Sequence, residues 1–430
     1  MNMQNVKGTY DFLGQEQALR KKVQTTLQNI FEVYDYESMD STVLHEMELL
    51  TSKYAGGDEI VKEMYQLQDQ GNRRLGLRYD LTIPFAKAIA LHPGLELPFR
   101  RYEIGKVFRD GPVKRGRLRE FLQCDVDVVG IAGPEAEAEL MQLAVDAFRQ
   151  LDIPIIVKWN NRRFLGEMLE AIGVPASLTL SVMLTLDKLA KIGLDGVRQE
   201  LHAKELDAAA LNAITELIAI ENPTFAQLVD TFGIGDRPGA LEVLALQDLL
   251  QRIGLASHCV FDPFLSRGLS FYTGTVYEIF DASSAFTSSL GAGGRYDAII
   301  GQLIGREDLP YPTVGLSFGM ESIMAMLNLR DDMSVEDAAV VVIPIGDTLP
   351  EALRAAAELR ACQIRTRMEA RSRKLKKSLA SASSKGIRYA ILIGESEATA
   401  GKVRLKDMRE LSETVVTIDE AIYLITQNLL

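Results

Sequence analysis

Apolar residues recur at three- and four-residue intervals between Gln15 and Tyr34, where Leu19, Val23, Leu27, Ile30 and Phe31 share one stripe, and the spacing predicts an amphipathic helix. Further on the rhythm changes to alternation. Arg101 to Arg109 and Glu120 to Asp127 read as two strands joined by a short loop, with Phe121, Gln123, Asp125 and Asp127 on one face of the second. Upstream, the polar turn Asp69-Gln-Gly-Asn72 separates two short runs, which predicts a hairpin leading into a helix near Thr82-Ile-Pro84. A long helix over Glu135 to Leu151 and a strand over Ile153 to Trp159 follow.

From Asn160 to about Ser257 the texture is almost continuously helical, with Leu165, Met168, Leu169 and Ile172 opening a series of Leu/Ala-rich runs. Strand signals return at Cys259-Val-Phe261 and persist through the Tyr272 segment to a strand-helix junction at Gly315. Asp331 to Val335 reads as a linker. Beyond Ala338, strands at Val340, Ile364 and Tyr389 alternate with helices in a βαβαβ rhythm. The expected architecture is α+β. An antiparallel sheet core with flanking helices lies in two pieces, 1–159 and 258–330. A helical insertion, 160–257, interrupts it, and a small α/β domain, 336–430, follows.

With 430 residues, 47% hydrophobic and 25% charged, the chain has room for two or three folded domains. A formal net charge of -12 argues against indiscriminate coating of nucleic acid, so a role on DNA is not expected, although a local basic patch can still bind RNA. The three cysteines, Cys124, Cys259 and Cys362, form no CxxC pair, which suggests neither a zinc site nor a disulfide framework. The first residues contain no apolar core of a signal peptide, and no run reaches the roughly 18 apolar residues of a membrane span. A reducing cytoplasmic setting is expected, with no membrane partner. The four histidines, His45, His92, His202 and His258, match no metal spacing, and no GxxxxGK[ST] phosphate loop is present.

The chemistry concentrates around the two strands. The loop from Asp110 to Arg119 holds Lys114, Arg115, Arg117 and Arg119 beside Gly111, Pro112 and Gly116, cations at a chain reversal that suit a polyphosphate. The following strand adds an aromatic plate, an amide and two acids. Together these suit a site that joins an anionic nucleotide to a cationic small molecule.

Arg101-Tyr-Glu-Ile-Gly-Lys-Val-Phe-Arg109, with the loop and Glu120 to Asp127, resembles motif 2 of the class II aminoacyl-tRNA synthetases. Arg267-Gly-Leu-Ser-Phe-Tyr-Thr-Gly-Thr-Val-Tyr-Glu278 and Gly293-Gly-Arg-Tyr-Asp297 resemble segments of the histidyl-tRNA synthetases, and Gly315-Leu-Ser-Phe-Gly319 resembles motif 3. The resemblance implies a class II core, a C-terminal domain of the anticodon-binding type, and a homodimer. It implies histidine, ATP with Mg²⁺, and tRNA(His) as ligands, with the number of metal ions left open. Arg109 and Arg267 would act from opposite sides on the α-phosphate and the histidine carboxylate. Arg117 and Arg119 would reach the outer phosphates or the tRNA acceptor end, and Phe121 would stack on adenine. Asp80, Thr82 and Gln123 would hold the ammonium, Asp127 would read an imidazole nitrogen, and Tyr272 and Tyr296 would line the pocket.

The chain departs from the family pattern in three places. Ser322 stands where motif 3 has an arginine, no proline precedes Pro84 in the motif 1 region, and Ser270 stands where the signature commonly has an acid. Residues 365 to 377 carry Arg365, Arg367, Arg371, Arg373, Lys374, Lys376 and Lys377 against one acid, Glu369. The resemblance makes Arg373, Lys374 and Lys377 candidates for tRNA phosphate contact. A noncatalytic histidine-sensing paralogue, like the regulatory subunit of ATP phosphoribosyltransferase, is the alternative, and Ser322 is the feature that keeps it open.

Overall fold

The two strands around the basic loop form a long antiparallel hairpin, β5 (Phe99–Phe108) and β6 (Glu120–Val129), in the computed structural model. The model describes residues 3–51, 61–113, 116–204, 206–268, 271–309, 311–330, 339–370 and 373–427. Lys114, Arg115, Ser270, Arg371 and the 331–335 linker reading lie outside the described residues.

This hairpin sits inside an eight-stranded sheet. The sheet also contains β1 (Glu37–Ser38), β7 (Ile155–Asn161), β8 (Cys259–Phe261), β9 (Thr275–Asp281), β10 (Gly291–Arg295) and β11 (Thr313–Gly319), in the order β1-β5-β6-β11-β10-β9-β7-β8. Its interior pairs are antiparallel as the alternation predicts, but the edge pairs β1–β5 and β7–β8 are parallel. A short three-stranded sheet, ordered β2 (Leu44–Glu46), β4 (Arg74–Leu77), β3 (Gln66–Gln68), contains the predicted hairpin, and the helix Thr82–Leu91 follows it.

Alternation gives the large sheet two different faces. On one, Phe318 of β11 lies 5.6 Å from both Phe31 of the helix Gly14–Val33 and Phe148 of the helix Glu135–Gln150, and all three rings are fully buried. Val23, Leu27, Ile30 and Phe31 form the buried stripe read from the spacing. The opposite face carries the polar residues of β5, β6 and β11, and the site is built there.

The predicted insertion is helical throughout its ordered elements, from Arg162–Ile172 to Pro238–Arg252. Local chemistry sets its ends. The Asn161 side chain accepts from the N–H groups of Arg163 and Phe164, and Thr224 with Gln227 closes a capping box. Gly239 crosses the backbone of Phe164 so closely that a Cβ there would collide with it. Phe164, Phe225 and Phe261 stack within 5.9 Å of one another, joining the insertion to β8.

The strand expected through Tyr272 is not formed. Residues 262–268 and 271–274, between β8 and β9, are irregular, because Pro263 cannot continue the ladder and Arg267 takes a left-handed φ of 62°.

Compactness divides the chain into two units, Met1–Phe12 with Arg20–Asp331, and Leu13–Leu19 with Asp332–Leu430. The second has its own five-stranded sheet, ordered β13 (Thr366–Met368), β12 (Val340–Pro344), β14 (Tyr389–Ile393), β15 (Val403–Asp407), β16 (Ser412–Val416). β12 pairs in parallel with β13 and β14, as the βαβαβ rhythm requires. The antiparallel hairpin β15–β16 and the helix Ile418–Gln427 complete it and were not part of the expectation.

Candidate active site

β5 and β6 place Arg101 opposite Asp127, Glu103 opposite Asp125 and Gly105 opposite Gln123. Every charged member of this patch is buried, so each must find a partner. Glu103 meets Arg78 at 2.7 Å, and the lack of a side chain at Gly105 leaves room for that guanidinium. Asp127 meets Arg101 at 2.7 Å through Oδ2 and accepts the Tyr296 hydroxyl at Oδ1. Arg101 lies 4.4 Å from the Phe85 ring centroid and donates to the Leu81 carbonyl.

Asp125 has no such cation of its own. Its Oδ1 is buried without a hydrogen-bond partner, and so is Oε1 of Gln123, whose amide nitrogen donates to Ser317 at 3.0 Å. Burial pushes the Asp125 carboxyl up to about 8, against the pull of Arg101 and with a further push from Asp127. Both residues line a cavity of about 660 Å³. A ligand bearing N–H donors would satisfy both.

The same cavity collects most of the predicted residues. Asp80 and Thr82 line it, with the Asp80 carboxylate accepting the backbone N–H groups of Thr82 and Ile83 at the start of a helix. Arg109 lines it between Tyr79, whose carbonyl accepts from Nε, and Phe121, whose ring centroid is 4.9 Å from the guanidinium. Burial lowers the Arg109 pKa, with Asp80 opposing. Arg267 and Tyr272 complete the wall from the irregular loop. Burial works against the Arg267 charge, but the Glu278 carboxylate of β9, in direct contact with Nη1, holds it firmly protonated.

Three predicted residues stand back from the cavity. Asp127 and Tyr296 bond each other beneath it, a floor made possible by Gly315, where a Cβ would collide with the Asp127 carboxylate. Arg119 closes the loop from outside, with its side chain 3.2 Å from Asp110 and its carbonyl accepting the Arg109 N–H. Arg117 reaches the cavity and is chelated by Glu63 at 2.6 and 2.7 Å. The Gly293-Gly294 pair brings backbone against backbone and the Tyr272 ring, with Arg295 bound to Glu137 at 2.6 Å, so this motif builds the wall.

Several functional neighbours were not singled out from the residues alone. Arg101, Glu103 and Arg78 neutralise the floor, Glu278 pairs with Arg267, and Asp187 of the insertion accepts the Ser266 and Arg267 N–H groups. Alternation could have flagged Arg101 and Glu103, which share the face of Asp125 and Asp127. Glu321 also lines the cavity beside Ser322, and Arg20 clasps it through two bonds of 2.7 and 2.6 Å. Among the described residues no three His, Cys, Asp or Glu side chains converge as a metal site.

In the second unit Arg373 pairs with Glu369 at 3.2 Å, while Lys374, Lys376 and Lys377 are exposed at the N-terminal end of the helix Leu375–Ser384. Cations oppose the helix dipole at that end.

A family model described as histidyl-tRNA synthetase matches residues 8–323, and one described as anticodon binding domain matches 339–428. Histidine–tRNA ligase 1 of Bacillus cereus is 46% identical over 423 residues, covering 97% of this chain and 98% of the relative. The crystal structure of histidyl-tRNA synthetase from a Nostoc species superposes with a TM-score of 0.86 at 26% identity, covering 100% of each chain. A Bacillus halodurans structure described as an ATP phosphoribosyltransferase regulatory subunit/histidyl-tRNA synthetase gives 0.74 at 17% identity over 91% of this chain and 98% of that one, which is a likeness of fold alone. By the family model and by near-full-length identity, the chain belongs to the histidyl-tRNA synthetase family.

Proposed function

We propose that this chain is a histidine–tRNA ligase. The histidine carboxylate attacks the α-phosphorus of ATP, pyrophosphate departs, and the histidyl group then passes from the adenylate to a terminal ribose hydroxyl of tRNA(His). The observation that carries the reading is the meeting of Arg109 and Arg267, from distant segments, on one cavity that Gln123 and Asp125 also line, each with a buried acceptor that has no partner.

Two anions must be held together while charge builds on the phosphoryl oxygens, and two fixed guanidiniums offset that charge without reorganising. Arg109 is held by the Tyr79 carbonyl and Arg267 by Glu278, so neither loses much freedom on binding. Arg117 would exchange Glu63 for phosphate oxygens. Phe121 offers its ring to adenine, and Arg119 keeps the loop closed. Asp80, Thr82 and Gln123, which line the cavity, would take the ammonium. Asp127, with Tyr296 and the wall of Tyr272, sets the polarity under the imidazole, and Asp125 adds an acceptor at the cavity surface.

Mg²⁺ is the usual companion of ATP and favours hard oxygen donors. The carboxylate of Glu63 on the cavity wall, released when Arg117 turns to phosphate, fits that requirement and would hold it with the phosphates. When bound it neutralises phosphate charge. Arg373, Lys374 and Lys377 would contact the tRNA backbone: exposed cations that oppose a helix dipole are better explained by an anionic partner than by helix stability. The family makes a homodimer the expected state, and two buried thiols with one exposed thiol suit a reducing cytoplasm.

Arg109, Arg267 and the match of 339–428 to an anticodon-binding domain favour the ligase over the sensing paralogue. The test is charging: labelled histidine should become attached to tRNA(His) in the presence of ATP. No attachment by folded protein that binds histidine would refute the reading.

A further inference from the structure

We propose that Asp187, at the end of the insertion helix Ala176–Leu186, is the positioning residue for Arg267, so that the seating of the insertion sets the rate of adenylate formation. The inference rests on the ligase reading above, in which Arg267 acts on the reacting groups.

Arg267 holds a left-handed φ of 62°, a conformation that a non-glycine residue keeps only where its surroundings impose it. The imposition is visible. Oδ1 of Asp187 accepts two successive backbone N–H groups, Ser266 at 2.8 Å and Arg267 at 3.0 Å. The Ser266 hydroxyl donates to the Met183 carbonyl of the same insertion helix at 3.1 Å. From the sheet side, the Asn160 amide donates to the carbonyls of Pro263 and Leu265, each at 2.9 Å. The loop is therefore held at two points, one on the sheet and one on the insertion. Beyond them the Arg267 guanidinium meets Glu278.

Behind this loop a second cavity, of about 650 Å³, opens between the insertion and β8–β9, with Asp187, Leu265 and Glu278 on its wall. The hydrogen bonds just named tie residues 266 and 267 to the insertion, so a shift of the insertion reaches Arg267 through Asp187. Asp187 itself does not line the substrate cavity, which separates positioning from contact with the reacting atoms. A displacement of about 1 Å in a group aimed at a transition state can cost on the order of a hundredfold in rate.

The test compares Asp187→Ala, Asp187→Asn and Asp187→Glu with the parent in histidine-dependent pyrophosphate exchange, alongside amide hydrogen exchange over residues 262–268. Asparagine keeps the Oδ1 acceptor, whereas glutamate keeps the charge and moves the acceptor by one methylene. The expected result is a kcat about tenfold or more lower for Asp187→Ala with the histidine KM little changed, and rescue by Asp187→Asn. Faster amide exchange over 262–268 should accompany the alanine change and be absent from the Asn variant. Parent-like kcat in a folded alanine variant overturns the proposal. If the alanine variant does not fold, an active Asn variant beside a slow Glu variant supports it, and the reverse pattern overturns it. A parent without histidine-dependent exchange refutes the ligase reading; the amide-exchange comparison then decides the anchor separately, and unchanged protection in Asp187→Ala overturns it.

Discussion

Arg101 and Asp127 face each other across β5 and β6, 2.7 Å apart, with the Arg101 side chain wholly out of solvent and that of Asp127 nearly so. The acid expected to read the imidazole is thus already held by a cation, and its remaining oxygen by Tyr296. The arginine makes a charge there tolerable, and on the proposed reading Asp127 would act on the imidazole through the Tyr296 hydroxyl.

Removing that cation should be costly. Arg101→Met leaves Asp127 buried and uncompensated, and is expected to destabilise the catalytic unit by about 3–5 kcal/mol in denaturant unfolding, with weaker histidine binding. A loss below about 1 kcal/mol would mean that the pair does not organise the floor.

Arg267→Ala should lower the rate of histidine-dependent adenylation by roughly a hundredfold to a thousandfold, while calorimetry shows histidine binding largely retained. Arg267→Lys should not restore the rate, because a lysine cannot meet Glu278 and the reacting groups with one planar fork. Unchanged adenylation in the alanine variant would remove Arg267 from the catalytic machinery, and a parent-like rate in the lysine variant would show that charge alone suffices there.

Asp125 predicts a pH dependence. With its carboxyl pushed up to about 8 by burial, the folded state keeps a proton that the unfolded chain releases near its ordinary value of about 4. The folded state therefore binds more protons across that window, and this residue's contribution to stability declines as pH rises from about 4 to about 8, then levels off. In Asp125→Asn that decline disappears, so urea midpoints of variant and parent should diverge with rising pH in the variant's favour. Parallel profiles would contradict the assignment.

Lys374→Glu with Lys377→Glu should raise the KM for tRNA and flatten its salt dependence, leaving pyrophosphate exchange unchanged. Equal loss in both assays would point to a folding defect and remove these lysines from the tRNA surface.

Much of this was legible along the chain because two periodicities carry it. The Val23 to Phe31 stripe, the β5–β6 hairpin and the βαβ start of the second unit follow from local spacing alone. What could not be read depends on contacts between distant segments. No local pattern announces that Asp127 is spoken for by Arg101, that Arg267 finds Glu278, or that an insertion residue anchors the Arg267 backbone. The Tyr272 loop was mistaken for strand because its aromatic and β-branched composition suits a ladder, while its course is set by Asn160 and Asp187. The Gly293-Gly294 pair lets backbone and the rings of Tyr277 and Tyr272 approach closely, contacts that no local pattern announces.

The most direct measurement is exchange of labelled pyrophosphate into ATP by the purified chain without tRNA, with histidine and then with each other amino acid. The account predicts exchange with histidine alone, lost in Arg267→Ala, which would also establish that Ser322 is compatible with ATP use. Absence of exchange in protein that still binds histidine would contradict it and return the chain to the role of a sensor.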